Sequence, residues 1–237
     1  MLKVWDTATG KEIRTIKDPG PSNQVPVMAV TPDGKTVWTW VYQTTIESYD
    51  LENGKQRDSW TGSESQLTSL SFSPDGELAA LGGLDGSVRI WNVSKKAKLL
   101  TKGDQPLHQE SIVDLVFTPD KKFLVTAGKD GLVKVWNVKN LADNAPGKAT
   151  AVRSFAAHKT RIIALAMSPD GKRFVSAGAD NTVKLWDTAT GEEKRKWEFR
   201  VPVIPNKAFL RNIAFTPDGK HVVTANYNTT MYLLELP

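Results

Sequence analysis

The sequence predicts an all-β fold made of repeated four-stranded antiparallel sheets, and three observations carry that expectation. A turn signal of the form Ser/Thr-Pro-Asp-Gly, with Lys for Gly in one copy, recurs five times, its copies starting 42 to 50 residues apart. Short β-rich runs of four to seven residues flank every copy. No stretch of any length shows the 3.6-residue periodicity of an amphipathic helix.

Taken in order, the chain opens on LKVWD (2–6) and EIRTI (12–16), the third and fourth strands of a partial unit, 1–16. The turns follow as TPDG at 31–34, SPDG at 73–76, TPDK at 118–121, SPDG at 168–171 and TPDG at 216–219. Proline presets φ at the second turn position, and Asp then Gly supply the remaining geometry. Each turn joins a first strand (VMAV, LTSLSF, IVDLVF, IIALAM, LRNIAF) to a second (TVWTWV, ELAALGG, FLVTAGK, RFVSAGA, HVVTANY). A third strand comes next: TIESYD, SVRIWN, LVKVWN, TVKLWD and TMYLLEL. Four units add a fourth, KQRDSW, KAKLL, AVRSF and EKRKWEF. The expected units are 27–60, 67–101, 112–155, 161–199 and 210–237, within one domain spanning 1–237. Four short strands per unit of this length is the pattern of a β-propeller blade. Many strands lack clean alternation because neighbouring blades cover both faces of each sheet. Small residues at equivalent places, among them Gly82, Ala127, Gly128, Ala177 and Gly178, suit close packing between sheets.

Composition narrows the chemistry. With no cysteine, disulfides, thiolate nucleophiles and cysteine-ligated metals are excluded. Three histidines, His108, His158 and His221, are too few for a histidine-rich metal site, and no cofactor is expected. No phosphate-binding glycine loop or metal-ligand spacing occurs; pairs such as Asp85-Gly86 and Asp130-Gly131 are hairpin turns. The net charge of +5 raises nucleic acid as a partner. The lysines instead cluster at 95, 96 and 98, at 121 and 122, and at 194 and 196, beside turns or edge strands, where they discourage edge pairing. Nucleic acid is therefore disfavoured. No apolar run of membrane length or leader is visible, so the expectation is a cytoplasmic protein without membrane contact.

The repeats resemble the WD-repeat (tryptophan–aspartate repeat) β-propellers over essentially the whole chain. The literal pair occurs as Trp5-Asp6 and Trp186-Asp187, with variants Trp91-Asn92, Trp136-Asn137 and Tyr49-Asp50; Leu234-Glu235 departs most. The resemblance implies a structural hydrogen-bond chain in each blade, from a histidine before the first strand to a turn aspartate, a second-strand Ser/Thr and the tryptophan. Two repeats carry the full set: His158, Ser176, Asp180 and Trp186, then His108, Thr126, Asp130 and Trp136. Ser, His and Asp in one segment also suggest a hydrolase. A nucleophile, however, needs a free hydroxyl beside an oxyanion hole. Here the hydroxyl is expected to accept the indole N–H, and the set occurs twice, which suits architecture. The remaining repeats are incomplete: Ser63, Leu81, Asp85 and Trp91; Pro21, Thr39, Gln43 and Tyr49; Asn206, Thr224, Asn228 and Leu234.

Two expectations concern the ends. Residues 12–16 either complete the last blade, closing a five-bladed ring, or belong to an incomplete propeller whose opening blade lacks its first two strands. The second is preferred, because seven blades of this kind need about 300 residues, and open blade edges then favour self-association.

The resemblance implies that partners dock on the face carrying the interblade loops and the second-to-third-strand turns. Tyr42, Leu84, Lys129, Ala179 and Tyr227 lie just before those turns. The interblade loops add Gln66, Ser111, Lys159, Arg161, Lys207, Phe209 and Arg211. Insertions at 200–209 and 138–150 are read as loops, the first on that face. The expected function is a non-enzymatic protein–protein interaction scaffold for other proteins or peptides, within a larger protein or alone. The alternative is a lactonase-like or surface-layer propeller, which VMAVTPDGKTVWTW also resembles. That alternative requires carboxylates or histidines converging on the central channel, where the first strands offer little beyond Asp114.

Overall fold

Each Ser/Thr-Pro-Asp segment closes a hairpin through its own side chains. Thr118 donates its hydroxyl to Asp120 Oδ1 (2.6 Å), which also accepts the Lys122 N–H (3.0 Å), and the Lys121 N–H reaches the Thr118 carbonyl (2.9 Å). A computed structural model of the chain describes residues 2–16, 27–42, 45–61, 65–98, 107–143, 150–200 and 209–237. The turn's last residue is left-handed, with φ between 68 and 72° at Gly34, Gly76, Gly171 and Gly219, and 61° at Lys121.

An opening hairpin, β1 (Leu2–Trp5) and β2 (Glu12–Ile16), precedes five sheets. Blade 1 comprises β3 (Met28–Val30), β4 (Thr36–Tyr42), β5 (Thr45–Asp50) and β6 (Gln56–Thr61). Blade 2 comprises β7 (Leu67–Phe72), β8 (Leu78–Gly83), β9 (Val88–Asn92) and β10 (Ala97–Lys98). Blade 3 comprises β11 (Ile112–Phe117), β12 (Phe123–Gly128), β13 (Leu132–Asn137) and β14 (Arg153–Ala156). Blade 4 comprises β15 (Ile162–Met167), β16 (Arg173–Gly178), β17 (Thr182–Asp187) and β18 (Glu193–Glu198). Blade 5 has three strands: β19 (Leu210–Phe215), β20 (His221–Asn226) and β21 (Met231–Glu235). Every sheet is an antiparallel meander in chain order, and the first strands β3, β7, β11, β15 and β19 pack against one another in succession. Among the described residues, no helix is long and apolar enough to cross a membrane.

The core lies between blades, as the lack of alternation requires. Val125, Val133 and Val135 of blade 3 pack with Ile162, Leu165, Phe174 and Trp186 of blade 4, and the same positions of blade 4 pack on Leu210, Ile213 and Val222 of blade 5. An aromatic on the fourth strand completes the joints that follow blades 1, 3 and 4. Trp60 stacks on Trp91 of the next blade (5.1 Å between centroids, 5° apart), and Phe155 lies 4.9 Å from Trp186. Turn tips also touch: Pro119 packs on Gly171 and Pro169 on Gly219, while Lys121, in place of glycine, forms an ion pair with Asp75 of blade 2.

One open alternative falls and one expectation changes. First, β2 pairs with β1 (Leu2↔Ile16, Val4↔Arg14) and not with β21, so residues 12–16 do not complete the last blade. Leu2 and Ile16 instead bury against Val37 and Tyr49 of blade 1, and Arg14 donates to the Glu52 carbonyl (2.6 Å). Second, the segment after β13 is not all loop: α1 (Val138–Asp143) forms one and a half turns. Asn137 caps it by accepting the Asn140 N–H (3.1 Å), and Val138 and Leu141 bury in the joint between blades 2 and 3. So short a helix has no periodicity to read.

Candidate functional site

The two complete His–Ser/Thr–Asp–Trp sets close into hydrogen-bonded chains. In blade 4, His158 Nε2 meets Ser176 Oγ at 2.8 Å and Nδ1 faces the Asp180 carboxylate at 3.1 and 3.2 Å. Trp186 Nε1 donates to the same Ser176 hydroxyl at 2.9 Å. With Nδ1 protonated toward Asp180, Nε2 accepts the serine proton and the serine oxygen accepts the indole proton. Blade 3 repeats this with His108 Nε2 to Thr126 Oγ1 (2.8 Å), Nδ1 to Asp130 (3.0 and 3.1 Å) and Trp136 Nε1 to Thr126 Oγ1 (3.0 Å). Thr126 and Ser176 are fully buried. No hydroxyl here is available as a nucleophile.

The electrostatics fit a clamp. Burial pushes the His108 imidazole below its usual range against the opposing pull of Asp130, so the neutral ring is favoured. For Asp180, burial works upward, but hydrogen bonds from His158 and Thr182 outweigh it and bring the carboxyl down to about 2. Sequence reasoning missed Thr182, whose hydroxyl donates to Asp180 (2.7 Å) and lies 3.1 Å from His158 Nδ1. A glycine makes room for each histidine: a methyl group on Gly128 would collide with His108 Nδ1 and Asp130, and one on Gly178 with His158 Nδ1 and Asp180.

The incomplete sets behave as their residues dictate. In blade 2, Leu81 stands where the hydroxyl should be, and the buried Trp91 indole N–H has no partner among the described residues. Arg89, 1% exposed and paired with Asp85, occupies that blade's interior, a burial that sequence gave no signal for. In blade 1 the fully buried Thr39 hydroxyl has no partner among the described residues, and Tyr49 replaces tryptophan, donating to Glu47 (2.6 Å). In blade 5, Thr224 Oγ1 accepts the Tyr232 N–H (3.2 Å). Ser63, Pro21, Gln43 and Asn206 lie outside the described residues. The Asp or Asn after each third-strand aromatic caps the following turn; Asp187 Oδ1 accepts the Thr190 N–H at 2.8 Å.

The residues expected on the docking face are brought together in pairs. The backbone N–H groups of Leu84, Lys129, Ala179 and Tyr227 donate to the carbonyls of Gln66, Ser111, Arg161 and Phe209 respectively, at 2.7 to 3.0 Å. Each second-to-third-strand turn is thus tied to the interblade loop of its own blade. Leu84, Lys129, Lys159, Arg161, Arg211 and Tyr227 are exposed, Phe209 is half-buried, and Ser111 is buried. The Arg211 guanidinium lies 4.9 Å over the Tyr227 ring, and Phe209, Tyr232 and Phe199 stack within 5.4 to 6.2 Å of one another. Tyr42 ends β4, but its side chain, like all of Lys207, lies outside the described residues.

Beside this rim the first strands line a cavity of about 240 Å³. β7, β11, β15 and β19 each carry a bulge at the second residue (Thr68, Val113, Ile163, Arg211), which turns that residue out of the ladder toward the cavity. Its carboxylate is Asp114, which accepts the Leu115 N–H (2.9 Å) and, across the blade joint, the Leu165 N–H (3.1 Å). Burial pushes this carboxyl up to about 6 despite those bonds. Among the described residues, no group of three or more His, Cys, Asp or Glu is placed to hold a metal.

Comparison with known proteins agrees with this geometry. The WD domain, G-beta repeat family matches residues 54–92, 102–137 and 149–187. Protein groucho of Drosophila melanogaster is 30% identical over 97 residues, covering 41% of this chain and 13% of its own length. Transcription factor unc-37 of Caenorhabditis elegans is 28% identical over 98 residues, covering 41% and 16%. Serine-threonine kinase receptor-associated protein of Bos taurus is 39% identical over 46 residues, covering 19% and 13%. The matched region is thus less than a fifth of each relative. Repeated blades, histidine-centred hydrogen-bond chains, aspartate-capped turns and the three family matches agree that this chain carries WD repeats.

Proposed function

We propose that the chain is a non-catalytic interaction scaffold that binds proteins or peptides through the rim carrying its second-to-third-strand turns. The observation that carries this reading is the Arg211–Tyr227 pair, with Phe209 behind it, at the edge of a surface whose strands are otherwise committed to packing. Aromatic and arginine side chains are the types that dominate binding energy at interfaces. Leu84, Lys129, Lys159 and Arg161 extend the same rim. One relative is named for its association with a receptor kinase, which supports binding as the use of this repeat. The occupied clamp hydroxyls and a cavity whose described lining holds one carboxylate, itself held by two backbone N–H groups, support the absence of catalysis.

A cross-linking comparison tests the reading. Wild type and the Arg211→Glu/Tyr227→Ala double variant are exposed to the same lysate, with a Lys139→Ala variant as a control on α1. Cross-linked partners are expected to be lost in the double variant and kept in the control. Equal loss in both, or turnover of ester or lactone substrates that disappears in Ser176→Ala while the fold is retained, overturns it.

A further inference from the structure

The joints between blades repeat one another, so a place filled in one and open in the next shows what would fill it. Between blades 3 and 4, at the end of the strands that carries the Ser/Thr-Pro-Asp turns, lies a groove of about 370 Å³. Pro119, Asp120 and Phe123 of blade 3 form one wall, and Asp170, Asp187 and Ala189 of blade 4 the other. In the joint between blades 2 and 3 the corresponding place is covered by α1. Val138, which stands where Thr188 stands in blade 4, buries there with Leu141, and Leu78, the counterpart of Phe123, packs on the same cluster. The two segments leave their third strands alike: the Val138 N–H donates to the Lys122 carbonyl and the Thr188 N–H to the Lys172 carbonyl, both at 2.9 Å. Blade 4 then turns back at once through left-handed Gly191 (φ 75°), where blade 3 continues into the helix.

The groove also lacks a cation that its neighbour has. Between blades 2 and 3, Lys121 reaches back across the joint to pair with Asp75. The counterparts between blades 3 and 4 are Gly171 and Asp120. Asp120 keeps Lys122 of its own turn at 3.7 Å, and the charged lining of the groove is three carboxylates, Asp120, Asp170 and Asp187, against Lys172. Hydrogen bonds from the Thr118 hydroxyl, the Ser168 hydroxyl and the Thr190 N–H hold these carboxyls below their usual range, so all three are charged at neutral pH.

We propose that the groove between blades 3 and 4 docks a short amphipathic helix of a partner protein, with aliphatic side chains at i and i+3 and a lysine or arginine beside Asp120. The neighbouring joint supplies both halves of this recognition within one chain: Val138 and Leu141 of α1 are the aliphatic pair, and Lys121 is the cation. Laying the apolar face of a helix into a groove is a recurrent mode of peptide recognition. A second copy of this chain cannot offer its own α1, because Val138 and Leu141 are already buried in their joint. Both walls belong to blades that have a further blade on either side. The groove lies at the opposite end of the strands from the Arg211–Tyr227 rim, so each can fail without the other.

The test titrates the whole isotope-labelled chain with a peptide of residues 136–143 carrying Ala142→Lys, followed by the amide resonances of the protein. A hydrocarbon staple between positions 136 and 140, on the face away from Val138 and Leu141, holds the peptide helical. Saturable shifts of the Lys172 and Ala189 amides are expected. Leu141→Ala in the peptide should weaken binding about tenfold through the loss of buried aliphatic surface. In the protein, Asp120→Asn keeps the acceptor for the Thr118 hydroxyl but removes the charge, and should weaken binding about two- to fivefold. Ala189→Trp fills the groove from an exposed position and should abolish binding with the melting temperature retained. If that variant unfolds, the Leu141→Ala peptide and Asp120→Asn decide. No saturable shift, shifts confined to Lys139 and Asn140 of the chain's own α1, or binding indifferent to Leu141 overturns the proposal. So does sedimentation that shows wild type dimeric and Ala189→Trp monomeric, which would assign the groove to a second copy.

Discussion

His158→Ala is the perturbation whose cost follows most directly from the geometry. The imidazole has no solvent exposure, and it accepts from Ser176 while holding Asp180. Without it, Asp180 keeps Thr182 as a donor, but the Ser176 proton has no acceptor in a site of zero exposure. An unsatisfied buried polar group costs about 1–3 kcal/mol. The ring also leaves a cavity beside Gly178, with a loss of contacts on the order of 1–2 kcal/mol. A total of about 3 kcal/mol lowers the melting temperature by roughly 6–12 °C for a chain of this length. Differential scanning calorimetry of wild type, His158→Ala and the exposed neighbour Lys159→Ala measures it, the last expected within about 0.5 kcal/mol of wild type. A His158→Ala midpoint within 2 °C of wild type, or equal to that of Lys159→Ala after a large drop, would refute the clamp as a source of stability.

Other outcomes follow from the same structure. Trp186→Phe should cost about 1–2 kcal/mol more than Trp91→Phe in chemical denaturation, because Trp186 donates to a hydroxyl, whereas the Trp91 N–H has no partner among the described residues. Thr229→Gly should raise the melting temperature, since this β-branched residue sits at φ 64° where Gly86 and Gly131 stand in blades 2 and 3. For Asp114 the folded pKa of about 6 lies above the unfolded value of 3.8, so the folded state holds the proton longer. Its contribution to stability is therefore present below pH 4 and lost as pH rises through 6. The stability gap between wild type and Asp114→Ala, measured by urea titration, should shrink over that interval by about 1–3 kcal/mol. A gap that widens with pH would contradict the burial of this carboxylate.

What could be read from sequence was whatever a local signal specified. The Pro-Asp-Gly turns set the hairpins, and fixed spacing within a unit located His158, Ser176, Asp180 and Trp186, because residues in equivalent blades meet equivalent partners. Arg89 was not legible: it stands where Lys134 and Lys184 stand in the neighbouring blades, and neither of those is buried. The inter-blade bond from Asp114 to Leu165 joins residues 51 apart through the twist of two sheets, which no local pattern encodes. The pairing of β2 with β1 was likewise open, since the strand sequence EIRTI suits the edge of either unit. Helix α1 was hidden because six residues are too few for a period.

The glycine beside each clamp histidine has an evolutionary consequence. Histidine and glycine are compatible only together, since any side chain at 128 or 178 would displace the imidazole. Two blades that carry no histidine have a side chain at this position, Asn226 in blade 5 and Val41 in blade 1. Such a replacement acts as a ratchet. A histidine arising later at the old position meets an occupied space, so reversion requires two changes, the first of which brings no benefit alone. Blade 2 keeps Gly83 without the complete clamp, and there the space a side chain would need is filled by Asp85, Ser87 and Arg89.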